Sequence, residues 1–482
     1  MKKDRFNLMV VFLTALIIRL LFSFYFQQFY FGGYEFKYGD GMTYLDPILN
    51  LINNGEYIGD KYLADSRYFR PPVYPFFLGI IYIISSLALL DYVVAAIQCV
   101  IGSISVILIY YIVLNVSQNK AAALTSASFI AIFPFVILWT PLMYTETVQL
   151  FLIFSLLFFA TKAKISVYST IIQGVLIGLI ILTKQYLALF LIIPVYIILL
   201  TPLLNWRKKI IHILLLYISL FIVVSPWLVR NYISSGNVIV FFGKTSGLRN
   251  ALDDSVAFTQ FANKFDENTT EYMESVAQTG SVKFIKHHKF LIDHEDEITA
   301  ATSLAYKCGG SFQERRKSTL NTQPPYSNCN NEVVVRFNQL SDDFWHEVAF
   351  WDAIETRRDA LWKVVSKSDI VNRNLSMSHN NSLTYMLFKY RLFILILGFF
   401  GMLYLYFNKI QQAHQKVILQ SLFITTLSLY LFFCLILVSA EMRYLLTPDL
   451  LIMLFSGIIP GKLLSEYSSV IKFKNIRRLM QL

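Results

Sequence analysis

Stretches of about 20 apolar residues recur along this chain, each long enough to cross a hydrocarbon core of about 30 Å. They fall near residues 8–30, 73–90, 92–114, 121–138, 147–160, 168–183, 186–204, 210–229, 391–407, 417–438 and 444–460. Inside a bilayer no water pairs with exposed backbone, so such segments fold as helices whose hydrogen bonds are internal. The expected fold class is therefore an all-α polytopic membrane protein. Composition agrees: of 482 residues 56% are hydrophobic and only 15% charged, against about 25% charged in soluble domains. The net charge of +11 is read as basic flanks facing anionic lipid, not as a nucleic-acid surface.

Charge in the loops sets the orientation. If every run crossed, Lys2, Lys3 and Arg5 would share a side with neither Lys162 and Lys164 nor Arg207, Lys208 and Lys209. One change removes the conflict. The run 73–90 opens with Pro71, Pro72 and Pro75 and is separated from the next only by Asp91, too little for a turn between spans. Laid along the outer surface, it leaves about ten transmembrane helices and puts Lys120, Lys162, Arg207, Lys416 and the basic tail inside. The start of the chain, long in apolar residues and without a small-residue cleavage site, reads as a retained anchor. The expected divisions are a transmembrane module over 1–230 with a first outer loop at 31–91, a large outer loop domain over 231–390, and C-terminal helices with a basic tail over 391–482.

This topology gathers the unexplained charges on one outer face. Asp40 lies between Gly39 and Gly41 just after the first span, where backbone can approach a ligand and a carboxylate suits a general base. Glu146 is the second candidate catalytic acid, although an acid opening a helix also complements its dipole. Asp46, ahead of Pro47, is the weaker competitor and is expected to cap a helix over Pro47–Asn53. Arg70, Lys184, Arg230 and Arg443 stand at span ends. Each alone reads as a side chain snorkelling to headgroups. Four on the side where Lys and Arg are scarce favour a bound phosphate, with Tyr44 and Tyr444 completing the expected substrate-binding set. Charges confined to span ends, with no defensible internal repeat, argue against a flippase or polymerase of lipid-linked oligosaccharides, the alternative function.

The segment 231–384 reads as polar, with an amphipathic helix over Phe344–Lys367. His287, His288 and His294 have no metal-ligand spacing and read as surface residues. Cys308 and Cys329 are a candidate disulfide if this segment faces an oxidising compartment. Asn268, Asn374 and Asn380 begin N-x-[ST] sequons. No G-x-x-x-x-G-K-[ST], G-x-G-x-x-G, C-x-x-C or G-x-S-x-G motif occurs, so nucleotide hydrolysis, dinucleotide chemistry and serine-hydrolase action have no support.

Several pieces together resemble a known family: an acid after the first span, Arg70-Pro71-Pro72-x-Tyr74-Pro75, Thr145-Glu146, Pro226-Trp227-x-x-Arg230-Asn231 and Glu441-x-Arg443-Tyr444. They are similar to the GT-C membrane glycosyltransferases, in the group of protein O-mannosyltransferases and lipid A aminoarabinose transferases. The resemblance implies a GT-C-like bundle with outer juxtamembrane helices. It also implies a sugar donor on a polyprenyl phosphate and inverting transfer to an outer-face glycan, lipid or protein, at the periplasmic or extracellular side of the plasma or inner membrane. Asp40 would activate the acceptor hydroxyl, and the four cations would hold the departing phosphate. There is no Asp-x-Asp pair, so no metal or other cofactor is expected.

Overall fold

The computed structural model describes residues 2–34, 36–37, 40–59, 67, 70–235, 253–265, 269–285, 287–309, 312, 328–349, 352, 381–408, 412–433 and 442–467. Among these all regular structure is helical. The chain begins with α1 (Lys2–Leu21), which runs on through a π-helical turn to Phe31. Gly32, at φ 79°, ends it in a left-handed conformation that favours glycine. Next come α2 (Gly41–Asn54), α3 (Val73–Ile84), α4 (Leu90–Ser117), α5 (Lys120–Ala131), α6 (Glu146–Ala160) and α7 (Val167–Ile181). A 3-10 turn, Gln185–Leu191, leads into α8 (Ile192–Leu200), and α9 (Trp206–Ser235) closes this half.

Six described helices are long and apolar enough to cross a membrane: Arg5–Phe31, Leu90–Ser117, Trp206–Ser234, Met386–Phe407, Ala413–Phe432 and Arg443–Tyr467. The chain is an integral membrane protein. Four further apolar helices are shorter, among them Val73–Ile84. At about 1.5 Å per residue its 12 residues reach roughly 18 Å, short of a hydrocarbon core of about 30 Å. Glu146–Ala160, Val167–Ile181 and Gln185–Leu200, which lie in runs expected to cross, are likewise shorter than the six. The run 121–138 is broken: α5 stops at Ala131, and a separate turn begins at Pro134.

The two ends of the bundle are closed by different contacts. At one end Lys37 pairs with Asp91 at 2.9 Å. There the Met143 N–H donates to the Phe36 carbonyl and the Val73 N–H to the Leu182 carbonyl. At the other end the loops of α4, α6, α8 and the C-terminal helices meet. Thr201 bonds His414 at 3.0 Å, Gln415 donates to the Asn115 carbonyl, and Lys209 Nζ donates to the Leu199 carbonyl at 2.6 Å.

One expectation fails inside the membrane. The spans are not free of charge. Arg19, 2% exposed in α1, donates to the Ala15 and Ala131 carbonyls at 3.1 Å each. Deeper in the C-terminal half, Arg391 and Asp449 are buried as a pair. A window of about 20 residues averages such single charges away. Clean spans therefore do not separate a transferase from a flippase here.

The polar segment between the two sets of membrane helices has its own core. Helices α10 (Asp253–Ala262), α11 (Thr269–Thr279), α12 (Glu295–Cys308) and α13 (Asn328–Glu347) bury Phe258, Phe261, Phe265, Phe337 and Phe344 against one another. Cys308 at the end of α12 is disulfide-bonded to Cys329 at the start of α13, their Cα atoms 5.5 Å apart. Phe344 and Trp345 belong to the last turn of α13, not to the start of a new helix. The remainder of the expected Phe344–Lys367 helix lies outside the described residues apart from 346–349 and Asp352, as do Asn268, Asn374 and Asn380. Three C-terminal helices complete the fold: α14 (Asn381–Phe407), α15 (Ala413–Phe432) and α16 (Met442–Met453).

Candidate active site

Asp40 occupies the N-cap position of α2. Its carbonyl accepts from the Thr43 N–H at 2.9 Å and from Thr43 Oγ1 at 2.6 Å, closing the first turn. Its own N–H donates to the Tyr144 hydroxyl at 3.0 Å. With both ends of the residue held, the carboxylate projects beside two guanidinium groups. Arg443 Nη1 donates to Oδ2 at 2.7 Å, and Arg70 Nη2 lies 3.3 Å from Oδ1. The helix begins at Gly41, so Asp46 is inside it and does not cap a helix starting at Pro47.

Each cation is itself positioned. Arg70 Nε donates to Thr43 Oγ1 at 2.8 Å and Nη1 to the Tyr44 hydroxyl at 3.1 Å. Its guanidinium carbon sits 4.1 Å from the centre of the Tyr44 ring, within range of a cation–π contact. Arg443 lies 5.0 Å from the ring centre of Tyr444. On the same ring, Lys184 is at 5.6 Å. Two of the four cations thus share the acid, and a third joins them through Tyr444.

Burial alone would raise the Asp40 carboxyl. The neighbouring charges of Arg70 and Arg443, with their hydrogen bonds, outweigh it and hold the group below the usual carboxylate range. A third of the side chain remains exposed. The acid is therefore ionised, oriented and reachable.

Glu146 is placed differently. It opens α6 but is 1% exposed, and its Oε1 accepts from Lys184 Nζ at 2.6 Å. Lys184 stands in extended backbone where α7 gives way to the 3-10 turn. This pair, 38 residues apart in sequence, ties two elements together beneath the Asp40 cluster. Nearby, Gln149 Nε2 donates to Thr447 Oγ1 at 2.8 Å and couples α6 to α16.

Arg230 stands apart from Asp40. Its guanidinium donates at 2.8 Å to the carbonyls of Arg67 and Tyr57, and lies 4.8 Å from the Trp227 ring centre. The Tyr57 hydroxyl, in turn, donates to the Arg70 carbonyl at 2.9 Å. Arg230 and Arg67 contribute to a cavity of about 790 Å³ whose walls include Leu51, Phe76, Leu182, Val223 and Trp227. This apolar chamber was not legible in sequence, since its walls come from α2, α3, α7 and α9.

Among the described residues, no three His, Cys, Asp or Glu side chains come together as a metal site. His294 bridges Glu297 at 2.8 Å and Glu347 at 3.0 Å, which raises its pKa. It thereby pins the start of α12 to the end of α13.

The Asp40 carboxylate thus stands between two guanidiniums at one end of a helical membrane bundle, and that bundle has a GT-C-like fold. Residues 69–229 match the family model described as dolichyl-phosphate-mannose-protein mannosyltransferase. That stretch takes in Arg70, Glu146 and Lys184, while Asp40, Arg230 and Arg443 lie outside it. The oligosaccharyltransferase of Archaeoglobus fulgidus in its apo form shares the fold, with TM-score 0.51 and 13% identity over 98% of this chain and 52% of that one. AglB of the same organism, solved with an inhibitory peptide and a dolichol-phosphate, gives TM-score 0.49 at 13% identity, covering 97% of this chain and 52% of that. ArnT from Cupriavidus metallidurans bound to undecaprenyl phosphate gives TM-score 0.35 and 13% identity, over 87% and 73%. The chain spans about half the length of the archaeal enzyme. No curated protein matches it in sequence.

Proposed function

We propose that the chain is an inverting glycosyltransferase that moves a sugar from a polyprenyl-phosphate donor to a hydroxyl of an outer-face acceptor. The observation that carries this reading is the Asp40 carboxylate held between Arg70 and Arg443. The matched family's description names a sugar on an isoprenoid phosphate, and that donor class is carried over here. The cavity beside Arg230 has the apolar walls that a prenyl chain requires.

In this mechanism the lipid phosphate competes with Asp40 for the two guanidiniums. A carboxylate engaged on both oxygens is a weak base. As phosphate draws Arg70 and Arg443 toward itself, the Asp40 pKa rises and the group becomes a competent base only when donor is present. Asp40 then takes the proton of the acceptor hydroxyl, whose oxygen forms a bond to the anomeric carbon. The bond from that carbon to the phosphate oxygen breaks, and its electron pair leaves with the lipid phosphate. The cations stabilise the charge gained in the transition state. We assign Lys184 to the edge of this phosphate site and Glu146 to holding Lys184, because a carboxylate 1% exposed is poorly placed to meet an acceptor. Tyr44 and Tyr444 act through the cations stacked on them.

Binding tests the reading. Protein in nanodiscs should bind an isoprenoid phosphate about ten- to a hundredfold tighter than the corresponding alcohol, the worth of one or two charge-assisted hydrogen bonds. Arg70→Gln combined with Arg443→Gln should remove most of that difference. Equal affinity for phosphate and alcohol would overturn it.

A further inference from the structure

The C-terminal spans hold a charged cluster that the chemistry at Asp40 does not use. Arg391 of α14 is 1% exposed, and Asp449 of α16 is fully buried. Arg391 Nε donates to Asp449 Oδ2 at 2.6 Å and Nη2 to Oδ1 at 3.2 Å. The Tyr430 hydroxyl of α15 donates to the same Oδ1. One carboxylate thus ties three helices together.

Stability does not account for such a device. Taking two charges out of water costs about what their attraction returns, and well-packed apolar replacements are often neutral or stabilising. A buried pair is better explained by the arrangement it specifies. Here that arrangement is the setting of α16, which carries Arg443 six residues before Asp449. At about 1.5 Å and 100° per residue, the two side chains are separated by roughly 9 Å along the axis and point in different directions. A rotation of α16 that released Asp449 from Arg391 would swing Arg443 away from Asp40. Other contacts on this helix and on the turn that follows it agree in purpose: Thr447 accepts from Gln149, and Gly398 and Gly401 of α14 lie so close that a Cβ would strike the Ile452 and Phe455 carbonyls.

We propose that Arg391 and Asp449 are positioning residues that fix the rotation and height of α16 and so hold Arg443 against the Asp40 carboxylate. The kinetic part of this inference rests on the proposed transferase reading; the geometric part does not.

The experiment therefore has two arms in the full chain. In a background with Cys99→Ala and Cys434→Ala, Asp40→Cys and Arg443→Cys are joined by a short bifunctional thiol reagent, and the yield is compared with and without the neutral pair Arg391→Met/Asp449→Leu. Separately, with Asp40 and Arg443 intact, sugar transfer is followed against pH. The neutral pair should keep the melting temperature, lose cross-linking several-fold, and lower turnover by about tenfold or more, as sub-ångström misplacement at a reacting group does. The acid limb of its rate should also move to higher pH, since Asp40 is then held by Arg70 with less help from Arg443. A merely structural pair would lower melting and leave that limb in place. Wild-type cross-linking in the neutral pair overturns the proposal. Should the neutral pair fail to assemble, Asp449→Glu is compared with Asp449→Asn: better cross-linking in the carboxylate variant supports the proposal, and equal yields overturn it. If the wild-type chain transfers no sugar from any isoprenoid phosphate, the transferase reading fails while the cross-linking arm still decides the positioning role.

Discussion

Asp40 is a carboxylate whose environment pulls in two directions, and its titration reports which one wins. Burial disfavours the anion, but Arg70 and Arg443 outweigh burial and lower the pKa. In the free enzyme the ionised form therefore persists down to pH values below the ordinary Asp range of about 3.9. As kcat/KM reports free-enzyme groups, its acid limb should lie below that value, with a plateau above it. Arg443→Gln removes one cation and should shift the limb upward; a pH–rate profile measured on both proteins checks this. The convergence of Asp40, Arg70 and Arg443 was legible from loop charges alone, because a charge the positive-inside rule leaves over needs another reason. The partners were not. Arg443 lies 403 residues from Asp40, and no local pattern encodes a contact across that distance. Arg391 and Asp449 escaped notice because each is a single charge in a run dominated by Leu, Ile and Phe.

At the scale of the element, proline misled and glycine was silent. Pro47 was read as the first residue of a helix, a common place for it, whereas α2 begins at Gly41 and carries Pro47 inside. The earlier start follows from the Asp40 carbonyl accepting from the Thr43 N–H and hydroxyl, a contact that also aims the carboxylate. Long apolar helices were legible by length. How closely they pack was not, since a glycine in a span says nothing of which neighbour it admits. Gly401 faces the Phe455 carbonyl with no room for a Cβ. Gly401→Ala should push α14 off the segment after α16 and cost about 1–3 kcal/mol, read as a lower melting temperature in detergent. An unchanged melting temperature would mean that this contact is not tight.

At the scale of the whole molecule, the helical bundle and the segment 253–349 have separate cores. Loop charges predict the two faces; Asp91 pairs with Lys37 at one end of the bundle and His414 with Thr201 at the other. A thiol placed by Asp91→Cys should accordingly react with an impermeant reagent from outside the cell; labelling only from the cytoplasmic side would invert the topology. The segment 253–349 was legible only as polar sequence, because its helices bury aromatic residues contributed from 258 to 344. Its disulfide closes a separation of 21 residues, for which loop-closure entropy suggests about 3 kcal/mol. Cys308→Ser with Cys329→Ser should make this domain sensitive to limited proteolysis while isoprenoid-phosphate binding at the bundle persists. The central claim, that Asp40 is the base, has one most direct test: initial rates of sugar transfer from a polyprenyl-phosphate donor in proteoliposomes, wild type against Asp40→Asn, with donor affinity measured in parallel. The account predicts a fall of at least about a hundredfold, with donor affinity kept or increased because the guanidiniums are no longer shared with a carboxylate. Transfer at the wild-type rate with folding and donor binding intact would contradict it.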